Sequence, residues 1–274
     1  MTDTGEWQGR VGESWAAQWK RTDRSFGQLT ESLLAETREF RFGRALDVGC
    51  GAGELSLAIA RGRPNVEVRG VDVSDALIEV ARERGARIPN ASFSQGDAAR
   101  WQADDGFAPD LLVSRHGVMF FDAPAAAFAH LAAQSAPDAN LLFSCFRDRS
   151  LNPFFTEVTR LLPDPPDPGD PKAPGPFAFS DRDHVRSLLQ EAGWRDVEMT
   201  PFDFAMIAGS GEDPVEDAVA YWTRIGPVAR PASEMDLGSR ERFLDRVRAL
   251  AERHCSEGIV ALPAAAWIVT AARG

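Results

Sequence analysis

The sequence predicts an α/β protein built on a mostly parallel sheet with helices on both faces. Three observations predict it. Residues 44 to 147 alternate short apolar segments with segments of helical periodicity. A glycine-rich turn, Gly49-Cys50-Gly51-Ala52-Gly53, leads straight from the first apolar segment into the first helical one. Two further strand patterns follow near the C-terminus, over Asp196 to Phe204 and Ala264 to Arg273.

Taken in order, the strand candidates of the alternating region are Arg44 to Val48, Glu67 to Asp72, Ala91 to Gln95, Leu111 to Ser114 and Asn140 to Phe146. Each is short and apolar and ends in turn chemistry. Between them, Glu54 to Arg61 places Leu55, Ala58 and Ile59 on one helical face. Ser74 to Arg84 does so with Leu77, Ile78 and Ala81, and Pro124 to Ala136 with Ala127, Phe128 and Leu131. Ser74 and Asp122 have the chemistry of N-caps, and Pro124 suits a first helical turn, where its missing N–H costs little. The proline-rich stretch from Leu162 to Pro176 can enter neither a helix nor a sheet interior and reads as an extended surface loop. A capped helix follows from Asp181 to Ala192, closed by Gly193. Between the last two strands, residues 205 to 263 carry two helical patterns, Pro214 to Ile225 and Ser239 to Cys255, and read as an insertion over the ligand edge of the sheet. Residues 1 to 43, with Trp7, Trp15 and Trp19, read as an N-terminal helical flap ahead of the main domain at 44 to 274.

Composition narrows the function. The formal net charge of −11 argues against nucleic acid as a partner, because affinity for phosphates rests on lysine and arginine. No apolar run approaches the ~18 residues of a membrane span, and the polar N-terminus does not resemble a signal peptide. Cys50, Cys145 and Cys255 are widely separated and form neither a disulfide framework nor a metal knuckle, so a reducing cytoplasm is the expected compartment and no metal is expected.

The glycine turn is the first place to look for a ligand, since open α/β sheets bind at the carboxyl ends of their strands. Its spacing is G-x-G-x-G. A dinucleotide fingerprint would need glycine where Glu54 stands, and no Lys-Ser/Thr follows to make a phosphate loop. Asp47, at the end of the first strand, would repel a pyrophosphate and attract a cationic group. Asp72 ends the second strand nineteen residues beyond Gly53, close to the ~20-residue offset of a ribose-binding acid. Asp97 follows the third strand, where it could accept a hydrogen bond from an adenine amino group. A carboxylate, a cationic amine, a ribose and an adenine together describe S-adenosylmethionine.

The stretches LDVGCGAG, GVDVSDALIEVAR and GDAARW resemble the cofactor motifs of class I S-adenosylmethionine-dependent methyltransferases of the ubiquinone-biosynthesis-like group. A narrower resemblance, to a bacterial subgroup, runs through GESW, SRHGVMFFDAP, GPFAFSD, RIGPVAR and LPAAAWIVTA. The resemblance implies a Rossmann-like seven-stranded sheet with an antiparallel last strand. It implies that Asp47, Gly49, Gly51 and Gly53 hold the methionine end, Asp72, Val73 and Leu77 the ribose side, and Asp97 and Ala98 the adenine. Ser114 and Arg115 would face the reacting methyl. Apart from the resemblance, the tryptophans of residues 1 to 43 read either as core packing or as a flap in which Trp15 or Trp19 flanks the methionine arm. The sequence departs from the family at the turn before the fifth strand, which reads PDAN, and at His116, where the subgroup has an apolar or aromatic residue.

For the acceptor, a small organic molecule methylated on oxygen is expected, because His116 is placed by topology to act as a base. Arg115 and Arg224 are candidate anchors for an acidic acceptor, and Phe120, Phe154 and Trp222 are candidate walls of its pocket. A homodimer stays open. Two alternatives stand beside this reading: a nicotinamide-dependent oxidoreductase, which shares the glycine turn and the ribose acid, and a non-catalytic module that binds S-adenosylmethionine.

Overall fold

Ala45 to Val48 are fully buried, as a strand covered on both faces by helices must be, and they form the middle of the sheet. The computed structural model describes residues 4–103, 105–167 and 169–274. Among these the strands are β1 (Arg44–Val48), β2 (Glu67–Asp72), β3 (Ala91–Gln95), β4 (Leu111–Arg115), β5 (Asn140–Phe146), β6 (Trp194–Ser210), β7 (Cys255–Ser256) and β8 (Ile259–Arg273). The sheet order is β3-β2-β1-β4-β5-β8-β6, with the two-residue β7 pairing to β8. Strands β1 to β5 pair in parallel, and β8 runs antiparallel to both β5 and β6. The expected seven strands with an antiparallel last strand are therefore present, and the short β7 adds an eighth.

The helices are α1 (Thr4–Gln8), α2 (Arg10–Ala17), α3 (Trp19–Ser25), α4 (Gly27–Glu36), α5 (Glu54–Gly62), α6 (Asp75–Gly85), α7 (Pro124–Gln134), α8 (Pro153–Arg160), α9 (Arg182–Glu191), α10 (Pro214–Trp222), α11 (Ala229–Glu234) and α12 (Leu237–Arg253). Among the described residues none is long and apolar enough to cross a membrane. Ser74 caps α6 through Leu77 N–H, and Asp181 caps α9 through the N–H groups of Asp183 and His184. Asp122 caps nothing. The chain enters α7 from Ala123 with no side-chain cap, and Pro124 alone marks the start.

The last two long strands, β6 and β8, extend past the predicted patterns and form a ribbon with register shifts at Arg195/Glu198 and Ile207/Gly209. Residues of the supposed insertion up to Ser210, and from Ile259 onward, thus belong to the sheet, because their backbone groups are satisfied by each other. Helices α10 to α12 fill the remaining connection. They meet the N-terminal helices through ion pairs of Arg21 and Arg24 with Asp217, each 2.7 Å, and through the Tyr221 hydroxyl, 3.2 Å from Thr22 Oγ1. Both segments therefore stand over the carboxyl edge of the parallel strands. The proline-rich segment is irregular, as its composition demands, but it is not merely a surface loop: Gly175 N–H donates to Met119 O at 3.1 Å, and Pro166, Pro171, Pro174 and Pro176 contribute to the wall of the cavity described next.

Candidate active site

The strand order reverses between β1 and β4, which opens a crevice at their carboxyl ends. A cavity of about 1830 Å³ occupies it. Asp47 sits at its floor, 1% exposed, in the strand flanked by β2 and β4. Ser56 donates to its Oδ2 through both N–H (3.1 Å) and Oγ–H (2.6 Å), whereas Oδ1 is buried with no partner. Burial pushes the carboxyl up to about 6, against the opposing pull of the Ser56 hydrogen bonds and the Arg115 charge. A buried carboxylate oxygen without a donor is costly. It fits a cationic amine arriving from the cavity.

Asp72 both faces the cavity and builds the loop beside it. Its Oδ2 accepts from Gly51 N–H and its Oδ1 from Ser74 N–H, each 2.9 Å, so the turn and the start of α6 are fixed by one carboxylate. The glycine turn has φ values of 66°, 53° and 82° at Gly49, Gly51 and Gly53, all in the left-handed region. Gly49 lies against Gly117: a Cβ on Gly49 would stand 2.9 Å from Gly117 Cα, and one on Gly117 would stand 2.6 Å from Val48 O. Beside Gly51 the space is open, as a loop that receives a ligand requires. Cys50 is buried, and burial followed by the charges of Asp72 and Asp47 raises its thiol well above its ordinary value, so it is inert as a nucleophile.

Asp97, half-exposed, holds Ala99 N–H at 2.9 Å and lines the cavity with Val73, Leu77 and Ala98. Trp15 closes the same side from α2. Four expected residues lie elsewhere. Gly53 turns the chain into α5 and packs on Phe93, which a Cβ would approach to 3.0 Å. Ser114 is fully buried beneath the site: its Oγ–H donates to Val48 O (2.6 Å) and it accepts from Gly117 N–H (3.1 Å), bracing the two loops rather than touching a ligand. Phe154 and Trp222, 1% and 2% exposed, pack on each other with ring centroids 5.8 Å apart and do not line the cavity; the next residue, Phe155, does. Phe154→Leu is accordingly expected to cost about 1 kcal/mol of stability, read as a lower thermal midpoint, and to leave cofactor affinity unchanged.

The match of residues 45–138 to the family described as "Methyltransferase domain" covers the strands and turns that carry these three acids. The chain carries a class I S-adenosylmethionine-dependent methyltransferase domain. The methyltransferase is 29% identical over 217 residues to a malonyl-[acyl-carrier protein] O-methyltransferase of Geobacter sulfurreducens, covering 77% of this chain and 76% of that one. It is 31% identical over 121 residues to a trans-aconitate 2-methyltransferase of Paracidovorax citrulli; there the match takes in 44% of this chain and 45% of the relative, less than half its length. Its fold is that of a phosphoethanolamine N-methyltransferase 2 of Haemonchus contortus solved with S-adenosyl-L-methionine, at a TM-score of 0.56 and 14% identity, covering 95% of this chain and 56% of that one. S-adenosylmethionine is the cofactor of the methyltransferase, and the oxidoreductase alternative falls away.

On the other side of the methyltransferase cavity stands His116, 8% exposed and at φ 61°, a left-handed conformation a histidine adopts at a cost. The bend follows from β4 pairing with β5: Arg115 is level with Ser144, His116 N–H donates to Ser144 O (3.2 Å), and the imidazole Nδ1 meets Ser144 Oγ at 2.6 Å. Nε2 is buried without a partner. Burial, followed by the Arg115 charge, lowers the imidazole to about 3, so the ring is neutral at physiological pH and a poor proton acceptor. The expected base role does not fit that environment. Arg115 is engaged as well, with Nη2 3.3 Å from Asp23 Oδ1 and Nη1 donating to Thr30 Oγ1 at 2.8 Å, so it is no free anchor for an acid. Phe120 and Arg224 do line the cavity; Arg224 is exposed and, among the described residues, forms no ion pair. Sequence reasoning passed over Phe26, Phe146, Phe155 and Phe177, which wall the region around His116. They come from α4's threshold, β5, α8 and the proline segment, and no local pattern unites them.

Proposed function

We propose that this methyltransferase esterifies the carboxylate of a small organic acid. The observation that carries the reading is the His116–Ser144 pair. The Ser144 hydroxyl is fully buried, and among the described residues its side chain has no hydrogen-bond partner other than His116 Nδ1. A buried hydroxyl proton needs an acceptor, so Ser144 donates to Nδ1 and the imidazole proton resides on Nε2. His116 then presents a neutral donor to the cavity. Such a group suits an acceptor that is already deprotonated, and a carboxylate is one at neutral pH. A phenol or alcohol would need a base that His116 does not supply.

The bound cofactor supplies a sulfonium methyl: the carboxylate oxygen forms the new O–CH3 bond as the S–CH3 bond breaks, the sulfur keeps the electron pair, and no proton moves. The residues of the chain hold and orient. Asp47 anchors the cationic amine, Asp72 the ribose hydroxyls and Asp97 the adenine, while His116 Nε2–H holds one carboxylate oxygen so that the other faces the methyl. The names of the relatives support the reading, since trans-aconitate and a malonyl group both carry carboxylates.

Release of S-adenosylhomocysteine from the protein with carboxylic acids, phenols and alcohols as acceptors tests this, with mass spectrometry of the product. Methyl esters are expected, formed at a kcat that is flat from about pH 6 to 9 because no base titrates there. His116→Ala should raise KM for the acid up to about tenfold, the worth of one hydrogen bond, without tilting that profile. Methylation of phenols alone, with a rate that climbs with pH, would refute it.

A further inference from the structure

The rings around His116 form one connected surface. His116 stands edge-on to Phe146 with centroids 4.1 Å apart and lies 5.3 Å from Phe26. Phe146 in turn lies 5.1 Å from Phe155 and 5.8 Å from Phe177, and those two are 6.1 Å from each other. All five residues line the cavity. Nε2, buried and without a partner, is the unsatisfied polar atom of this ring cluster. Arg115 lies over Phe26, 5.4 Å from the ring, but its charge is taken by Asp23. Arg149 sits over Phe177 at 5.3 Å, at the exposed end, beside the negatively charged Asp148.

We infer that the acceptor is an acid with an apolar body, a ring or an alkyl chain, that lies on Phe26, Phe146, Phe155 and Phe177 while its single inner carboxylate meets His116 Nε2. This rests on the proposed carboxylate methylation and adds the class of acid. Phe26, Phe146 and Phe155 are buried and Phe177 is half-buried, so an apolar body would cover the ring edges that remain open to the cavity, which is favourable per unit of area buried. A short polycarboxylate such as trans-aconitate carries all its charges within a few bonds. It would have to lay a second and third carboxylate against the rings of Phe26, Phe146 and Phe155, with Arg149 reachable only over Phe177 at the exposed end. The enclosure therefore selects against the acceptor named for one of the relatives.

The full-length protein with S-adenosylmethionine, offered 3-phenylpropanoate, octanoate, trans-aconitate and malonate, tests the inference through S-adenosylhomocysteine release. Calorimetric titration of the same acids into the S-adenosylhomocysteine complex provides the second readout. The two apolar acids should show kcat/KM about 100-fold or more above trans-aconitate and bind correspondingly more tightly. Phe177→Ala and Phe155→Leu should each raise KM for 3-phenylpropanoate several-fold with the affinity for S-adenosylhomocysteine unchanged. Equal or better turnover of trans-aconitate would overturn the inference and leave carboxylate methylation standing. Methylation of phenols with no ester from any acid would overturn the underlying reading instead. Neither binding nor turnover of any acid would overturn both.

Discussion

Asn in place of Asp47 should lower affinity for S-adenosylmethionine by about 100-fold or more, the effect of removing one charge from a buried, hydrogen-bonded ion pair. The unliganded protein should tolerate the change. Asn can still accept from Ser56 through its amide oxygen, and the buried charge that raises the carboxyl to about 6 is gone. The sign of the pH dependence follows. A carboxyl whose folded value lies above its unfolded 3.8 contributes stability that is full below about pH 4 and is lost as pH rises through about 6. Cofactor binding works the other way, since the amine prefers the ionised carboxylate. Affinity should therefore climb about tenfold between pH 5 and 7 and then level off. Calorimetry across that range checks it, with Asp47→Asn as the flat control. An undiminished affinity in the variant would remove Asp47 from the cofactor site.

Gly117→Ala should cost about 3 kcal/mol of stability, read as a lower urea midpoint, and should weaken cofactor binding with it. The backbone at Gly117 has φ −88°, which alanine accepts, so the penalty is purely one of space. The added methyl would meet Val48 O at 2.6 Å and Gly49 Cα at 3.0 Å, both backbone atoms of the cofactor turn, and neither can swing aside as a side chain would. Relief requires the β4 loop to part from the glycine turn, and Ser114 holds the two together through Val48 O and Gly117 N–H. A midpoint unchanged within about 0.5 kcal/mol would show that the loops are not in contact in solution.

That Asp47, Asp72 and Asp97 share one cavity was legible because their signals are local. Asp47, Asp72 and Asp97 each end or follow a strand, and in a parallel sheet those ends fall on one edge whatever the loops do. Asp72 was readable as a candidate ligand but not as the clamp on Gly51, since that hydrogen bond spans two strands. The acceptor half misled in an instructive way. Phe154 and Phe155 are adjacent in sequence, yet a helix turns them about 100° apart, so one enters the core and the other the cavity. The proline segment read as a loop and is one, but composition does not say what a loop covers.

By itself the sequence determined the sheet, the order of its strands along the chain and the acidic, glycine-lined edge proposed to receive S-adenosylmethionine, because periodicity, caps and glycine turns act over a few residues. Only the tertiary structure decided the burial of His116 and the company it keeps. Burial lowers its imidazole, Nδ1 meets Ser144 Oγ, and four phenylalanines from distant segments stand around it. Those are properties of three-dimensional neighbours, which no spacing along the chain encodes.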